Sequence, residues 1–125
     1  MKKVLVVEDN VLNLELVLDI LNAMGFEARG VEDGKEALGI IEKEQYDLVL
    51  MDIELPGMNG IEVRDYIKKI ISYEKVPVIA LTAYAMKGDK ERFIASGFDD
   101  YIAKPIDVTE FIKKMNVYNL NSAIF

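Results

Sequence analysis

Leu48-Val49-Leu50-Met51 sets four apolar residues in a row without polar alternation, and Asp52 follows directly. A run this short and continuous suits a strand buried on both faces, as in a parallel sheet covered by helices. Pro56, Gly57 and Gly60 come next and favour a turn, so the strand stops at the carboxylate. In an open α/β sheet, ligands and chemistry collect at the carboxyl ends of the strands. Asp52 stands where such a sheet presents a reactive group.

The rest of the chain alternates strand-like and helix-like stretches. Val4-Leu5-Val6-Val7 is a second buried run, ending on Glu8 and Asp9. Asn10 suits a helix N-cap, the helical pattern then runs from Val11 to Met24, and Gly25 suits the left-handed residue that ends it. Its broadest apolar face, Leu12, Leu16, Val17, Ile20, Leu21 and Met24, is expected in the core; Val11, Leu14 and Leu18 form a second stripe outside it. Phe26–Val31 reads as a weaker strand and Asp33-Gly34 as a turn. Lys35–Lys43 fits a helix with Ala37, Leu38 and Ile41 inward. After Asp52, the residues Ile61, Val63, Ile67, Ile70 and Ile71 suit a third helix, and Val76–Leu81 a strand ending at Thr82. Asp89–Ser96 is a helix with a thin apolar face (Phe93, Ile94, Ala95) closed by Gly97. Asp100–Ala103 is the last strand, ending on Lys104-Pro105. Asp107 suits the cap of a helix carrying Val108, Phe111, Ile112 and Met115. The Asn-rich tail 116–125 has no clear pattern. Five strand–helix units imply one doubly wound parallel sheet in a single domain over residues 1–125, with its core at about 3–115.

The chain has no Cys and no His, which excludes disulfides, thiolate nucleophiles and imidazole bases. Its formal net charge of −7 argues against direct nucleic-acid binding, which needs clustered Lys and Arg. No stretch approaches the length of a membrane span and no signal-peptide core follows Met1-Lys2-Lys3, so the chain reads as cytoplasmic. What remains for chemistry is carboxylates, hydroxyls, lysines and a bound hard cation.

Parallel strands bring their carboxyl ends to one edge. That edge would gather Glu8, Asp9, Asp52, Thr82 and Lys104. Carboxylates about 4 Å apart repel by roughly 4 kcal/mol per pair at an effective dielectric of about 20. A bound cation relieves this, and oxygen donors alone favour a hard one such as Mg2+. A hydroxyl and an ammonium in the same pocket suit a phosphoryl group, with Asp52 as the nucleophile that forms an acyl-phosphate.

Glu8-Asp9, Leu-Val-Leu-Met-Asp52 with Pro56 and Gly60, Thr82-Ala83 and Lys104-Pro105 together resemble the receiver domain of two-component response regulators, over about Lys3 to Met115. The resemblance implies a flavodoxin-like (βα)5 fold. It implies that Asp52 accepts phosphate from a histidine kinase or phosphotransfer protein. Asp9, Asp52 and the backbone carbonyl of Glu54 would bind Mg2+ (or Mn2+), with Glu8 acting through water. Thr82 and Lys104 would contact phosphoryl oxygens, and Lys104-Pro105 is where a cis peptide is expected. Tyr101 matches the switch aromatic that swings inward as the threonine moves toward phosphate.

Such a chain is not an enzyme with turnover; at most it catalyses its own phosphorylation and dephosphorylation. It would act as a stand-alone receiver on a downstream protein target, through a face built from the fourth helix, fifth strand and fifth helix, with dimerisation compatible. The stripe Val11, Leu14 and Leu18 is expected to help dock the phosphodonor. Glu54, where the family often has a neutral or amide side chain, and Tyr84 are expected to set the lifetime of the acyl-phosphate. The alternative from another class is a haloacid-dehalogenase-like Mg2+-dependent phosphohydrolase, faintly suggested by Asp52-Ile53-Glu54.

Overall fold

The computed structural model describes residues 2–83 and 89–124, with side chains throughout these ranges except at 89, 90, 93 and 119–124. The elements follow in the order β1 (Lys3–Val7), α1 (Val11–Ala23), β2 (Glu27–Val31), α2 (Gly34–Ile41), β3 (Leu48–Asp52), α3 (Gly60–Lys68), a 3-10 turn (Ile71–Tyr73), β4 (Val78–Thr82), α4 (Asp89–Ala95), β5 (Asp100–Ala103) and α5 (Val108–Ile124). All strand pairs are parallel, in the order β2-β1-β3-β4-β5. This is the doubly wound α/β sheet expected from the alternation.

Burial follows position in the sheet. Every residue of β3 and β4, and Val4–Val7 of β1, is buried, because these strands have neighbours on both sides and helices on both faces. The edge strands β2 and β5 are partly exposed. Val4, Val6, Leu48, Leu50, Ile79 and Leu81 face a cluster with Val17 and Leu21 of α1 and Phe111 and Met115 of α5. Leu5, Val7, Val49, Met51 and Ala80 face the other, with Ala37 and Ile41 of α2 and Val63 and Ile67 of α3. The period of two along each strand thus divides one continuous apolar run between two cores.

Local signals set the helix ends. Asn10, Asp33 and Asn59 cap α1, α2 and α3, each side chain accepting the amide three residues on. Asp107 does the same for α5 through Glu110 N–H at 3.0 Å. Gly25 takes φ +92, the left-handed conformation expected where α1 ends. Asp33-Gly34 is therefore a cap and first helical residue rather than a free turn.

Several expectations are corrected. In α1, Leu12 (76%) and Leu16 (37%) are exposed, whereas Leu14 and Leu18 pack against the core beside buried Val17, Ile20 and Leu21. The buried arc is turned by roughly 60° from the expected one, at about 100° per residue. Gly30 explains the turn: the Leu14 side chain occupies the space that a Cβ on this β2 residue would take. Ile71 lies beyond α3 and is 88% exposed, while Tyr73, in the same turn, is buried instead. Ile94 and Ala95 of α4 are exposed; the Phe93 side chain and Tyr84 lie outside the described residues. The tail is not patternless, since α5 continues to Ile124. Among the described residues no helix is long and apolar enough to cross a membrane.

The amino-terminal edge of the sheet is closed by two buried tyrosines. Tyr46 N–H donates to the Tyr73 hydroxyl at 2.9 Å, and that hydroxyl donates to the Glu44 carbonyl. The Tyr46 hydroxyl donates to Glu44 Oε2 at 2.6 Å; burial, together with the loss of this bond on ionisation, pushes it up to about 12.

Candidate functional site

Strand register brings the candidate residues to one edge. Val7 pairs with Met51, which sets Glu8 level with Asp52. Asp52 pairs with Leu81 and Thr82 with Ala103, so Thr82 and Lys104 follow along the same edge. Backbone bonds extend the ladder there: Glu8 N–H to Val31 O (3.0 Å), Ile53 N–H to Leu81 O (3.1 Å) and Lys104 N–H to Thr82 O (2.8 Å). Glu8, Asp52 and Thr82 are the buried polar residues among the described residues, and Asp9 is exposed at the rim.

Lys104 ties the pocket together. Its ammonium donates to Asp52 Oδ2 at 3.0 Å and Glu8 Oε1 at 3.0 Å, and lies 2.8 Å from Glu8 Oε2. The second Asp52 oxygen, Oδ1, accepts Glu54 N–H at 2.9 Å. Glu8 Oε1 also accepts Asn10 N–H at 3.3 Å, which links the acid to the start of α1. The Lys104-Pro105 peptide is cis, where the resemblance places one.

Among the described residues, charge is not balanced within the pocket. Carboxylate oxygens of Glu8, Asp9 and Asp52 lie within 4.8 Å of one another, and one ammonium cannot neutralise three carboxylates. Glu8 Oε2 is buried without an aligned hydrogen bond. Oxygen-only donors with an unsatisfied lone pair fit a hard divalent cation. Burial pushes the Asp52 carboxyl up; the Glu54 N–H and Lys104 oppose this without cancelling it, and the Glu8 charge adds to it. Burial works against the Lys104 charge, yet the contacts with Glu8 and Asp52 together raise its value.

The Asp52 shift has a consequence for stability. Native Asp52 holds its proton to higher pH than the unfolded chain does. Its contribution is therefore complete at low pH and is lost as pH rises through the native value. Once ionised, the group is a load on the metal-free fold. Asp52→Asn is expected to raise the melting temperature in chelator by about 4 °C, equivalent to about 1 kcal/mol in a domain of this size. Added Mg2+ should stabilise the wild type more than the variant. Thermal unfolding with and without Mg2+ checks this; a variant no more stable than wild type in chelator contradicts it.

The structure adds two contributions that the sequence did not show. Gly60 is more than a turn residue: as the first residue of α3 it donates its amide to Ile53 O at 2.8 Å. Its α-carbon passes so close to the Asp52 carbonyl oxygen and Ile53 Cα that no side chain fits. A glycine directly after the Asn59 cap was the available signal. Lys114 of α5 is the other. Its ammonium donates to Asp100 Oδ1 at 3.0 Å and Tyr101 O at 2.8 Å, and sits 5.1 Å from the centre of the Tyr101 ring. No local pattern announces a contact thirteen residues away. Of the expected docking stripe, only Val11 is exposed (51%); Leu14 and Leu18 serve the core, so the exposed large apolar residues of α1 are Val11, Leu12 and Leu16. Glu54 is exposed beside the pocket.

Comparison with known proteins agrees with this geometry. The family model described as the response regulator receiver domain matches residues 4–116. The polar-differentiation response regulator DivK of Brucella anthropi is 44% identical over 117 residues, covering 94% of this chain and 95% of DivK. The receiver domain of the sensor histidine kinase PA1611 from Pseudomonas aeruginosa, whose structure has a magnesium ion coordinated in the active site cleft, superposes with a TM-score of 0.80 at 36% identity, covering 90% of this chain and 92% of that one. The chemotaxis response regulator CheY4 of Vibrio cholerae superposes with a TM-score of 0.87 at 28% identity, covering 93% and 97%.

Proposed function

Since the chain belongs to the response regulator receiver domain family, we propose that Asp52 is its phosphoacceptor, charged by a histidine kinase or a histidine phosphotransfer protein. One Asp52 oxygen attacks phosphorus while the bond from phosphorus to the donor's imidazole nitrogen breaks, leaving an acyl-phosphate. The observation that carries this is the buried Asp52 carboxylate, with one oxygen on the Lys104 ammonium and the other on the Glu54 amide. Those contacts aim the group and hold it at the strand tip, where a donor can approach.

Asp9, Asp52 and the Glu54 carbonyl are the residues that would hold Mg2+, with Glu8 reaching it through water; Mn2+ has the same oxygen preference. Bound there, the cation supplies positive charge that offsets the carboxylates and the incoming phosphoryl oxygens. Lys104 has an ammonium ready for one of those oxygens, and the Thr82 hydroxyl stands at the neighbouring strand end for another. Phosphorylation adds about −1.5 to −2 charges and three acceptors, enough to bias the positions of Thr82 and Tyr101. A downstream protein target, rather than nucleic acid, reads the result. Val11, with Leu12 and Leu16 in place of Leu14 and Leu18, offers the phosphodonor an apolar face on the helix that begins beside Glu8 and Asp9. The family found is not the haloacid-dehalogenase one, and Glu54, in the position that reading gives to an acid–base aspartate, is exposed.

The test is intact mass spectrometry after acetyl phosphate treatment with Mg2+. A single phosphoryl adduct is expected on the wild type, and none on Asp52→Asn or on the wild type in chelator. An adduct that persists in Asp52→Asn removes that residue from its role.

A further inference from the structure

The Lys114 ammonium has three N–H groups and three partners, all within residues 100 and 101. Asp100 Oδ1 (3.0 Å) and Tyr101 O (2.8 Å) accept two of them, and the ring of Tyr101 lies under the charge, 5.1 Å from its centre. Asp100 Oδ1 also accepts Tyr101 N–H at 2.8 Å, so the carboxylate is held in turn by the backbone it anchors. The Tyr101 side chain leaves β5 on the face of the second core, where it is partly buried against that cluster. Lys114 reaches it from α5, whose Phe111 and Met115 serve the first. The lysine therefore wraps the open edge of the sheet and touches both sides of it.

This arrangement separates two roles. Asp100 and the Tyr101 carbonyl fix the ammonium by bonds that do not depend on the ring. The ring contact is an increment that the ring gives up if it turns away, while the cation stays in place. We infer that Lys114 is a positioning residue that holds the Tyr101 ring in the partly buried position seen here, opposes its movement on phosphorylation and so sets the threshold for the switch. The inference rests on the reading of Tyr101 as the switch aromatic and adds what holds it back. A cation over an aromatic face at this distance biases the equilibrium by about two- to five-fold when partly solvated.

The experiment follows the ring directly. Fluorotyrosine is incorporated in the full chain, the Tyr101 resonance is assigned through Tyr101→Phe, and beryllofluoride, a phosphoryl mimic, is titrated at fixed Mg2+. Lys114→Gln keeps a donor for Asp100 and the carbonyl but removes the cation. Its Tyr101 resonance should respond at a beryllofluoride concentration about two- to five-fold lower than in the wild type. Lys114→Met, which keeps only the stem, should shift the same way, and Lys114→Arg should restore the wild-type midpoint. Lys113→Gln makes the same charge change on an exposed neighbour and should leave the midpoint unchanged. An unchanged midpoint in both Lys114→Gln and Lys114→Met overturns the latch, as does an equal gain in Lys113→Gln. A wild-type Tyr101 resonance indifferent to beryllofluoride overturns the switch reading and the latch together.

Discussion

Lys104→Met is expected to cost the metal-free protein about 3 kcal/mol at neutral pH, among the larger losses available to a single substitution here. Methionine keeps most of the stem and removes only the charge. Among the described residues, that charge is the one ammonium within 3.0 Å of both Glu8 and Asp52, which are 0% and 1% exposed. Removing it strands two carboxylates out of water. One of them has an escape, because burial already pushes Asp52 up and loss of the ammonium would push it further. Lowering the pH should therefore shrink the penalty as Asp52 takes up a proton, and saturating Mg2+ should shrink it by supplying the missing charge. Urea unfolding in chelator, in Mg2+ and at reduced pH measures all three. A loss that ignores both Mg2+ and pH assigns the effect to packing of the stem.

Gly60→Ala is expected to cost about 2–3 kcal/mol, by overpacking rather than by loss of a contact. A Cβ at Gly60 would meet the carbonyl oxygen of Asp52 and the α-carbon of Ile53, both backbone, so no rotamer change relieves it. Either α3 lifts from the sheet or the tip of β3 moves. The first breaks the Gly60 amide bond to Ile53 O, and the second displaces Asp52 from Lys104 and Glu54. Phosphorylation by acetyl phosphate should slow in the fraction that remains folded. Gly39 provides the contrast. It lies inside α2 with nothing within 4 Å of an added Cβ, so Gly39→Ala should stabilise by up to about 1 kcal/mol through helix propensity alone. Equal urea midpoints for the two variants would contradict the close-approach argument.

The strands were legible because strands buried on both faces cannot hide their composition. Leu48–Met51 and Val4–Val7 read as unbroken apolar runs, and each run points to the residue that follows it. Those runs lead to Glu8 and Asp52, and the two later strands end at Thr82 and before Lys104, so the pocket could be assembled before any geometry was known. The helices were less transparent. Residues 11–24 are apolar around most of α1, and only the void at Gly30 determines that Leu14 turns inward while Leu12 faces solvent. Tyr73 was overlooked because its partners, Glu44 and Tyr46, are 29 and 27 residues away. Lys114 sits beside Lys113 in the sequence, a pairing that by itself suggests only a solvated helix face. Its work depends on how α5 passes the sheet edge, which no local spacing records.

The tyrosine closure at the amino-terminal edge has an optical consequence. With no tryptophan and six tyrosines, the near-ultraviolet circular dichroism of this chain comes mainly from phenol rings. Tyr46 and Tyr73, each 1% exposed and hydrogen-bonded, occupy fixed asymmetric surroundings at the edge remote from Asp52. Their contribution is a built-in reference that vanishes on unfolding, against which any change from Tyr101 of β5 stands out. The molecule thus carries phenol rings that report its integrity apart from the one that would report the proposed switch.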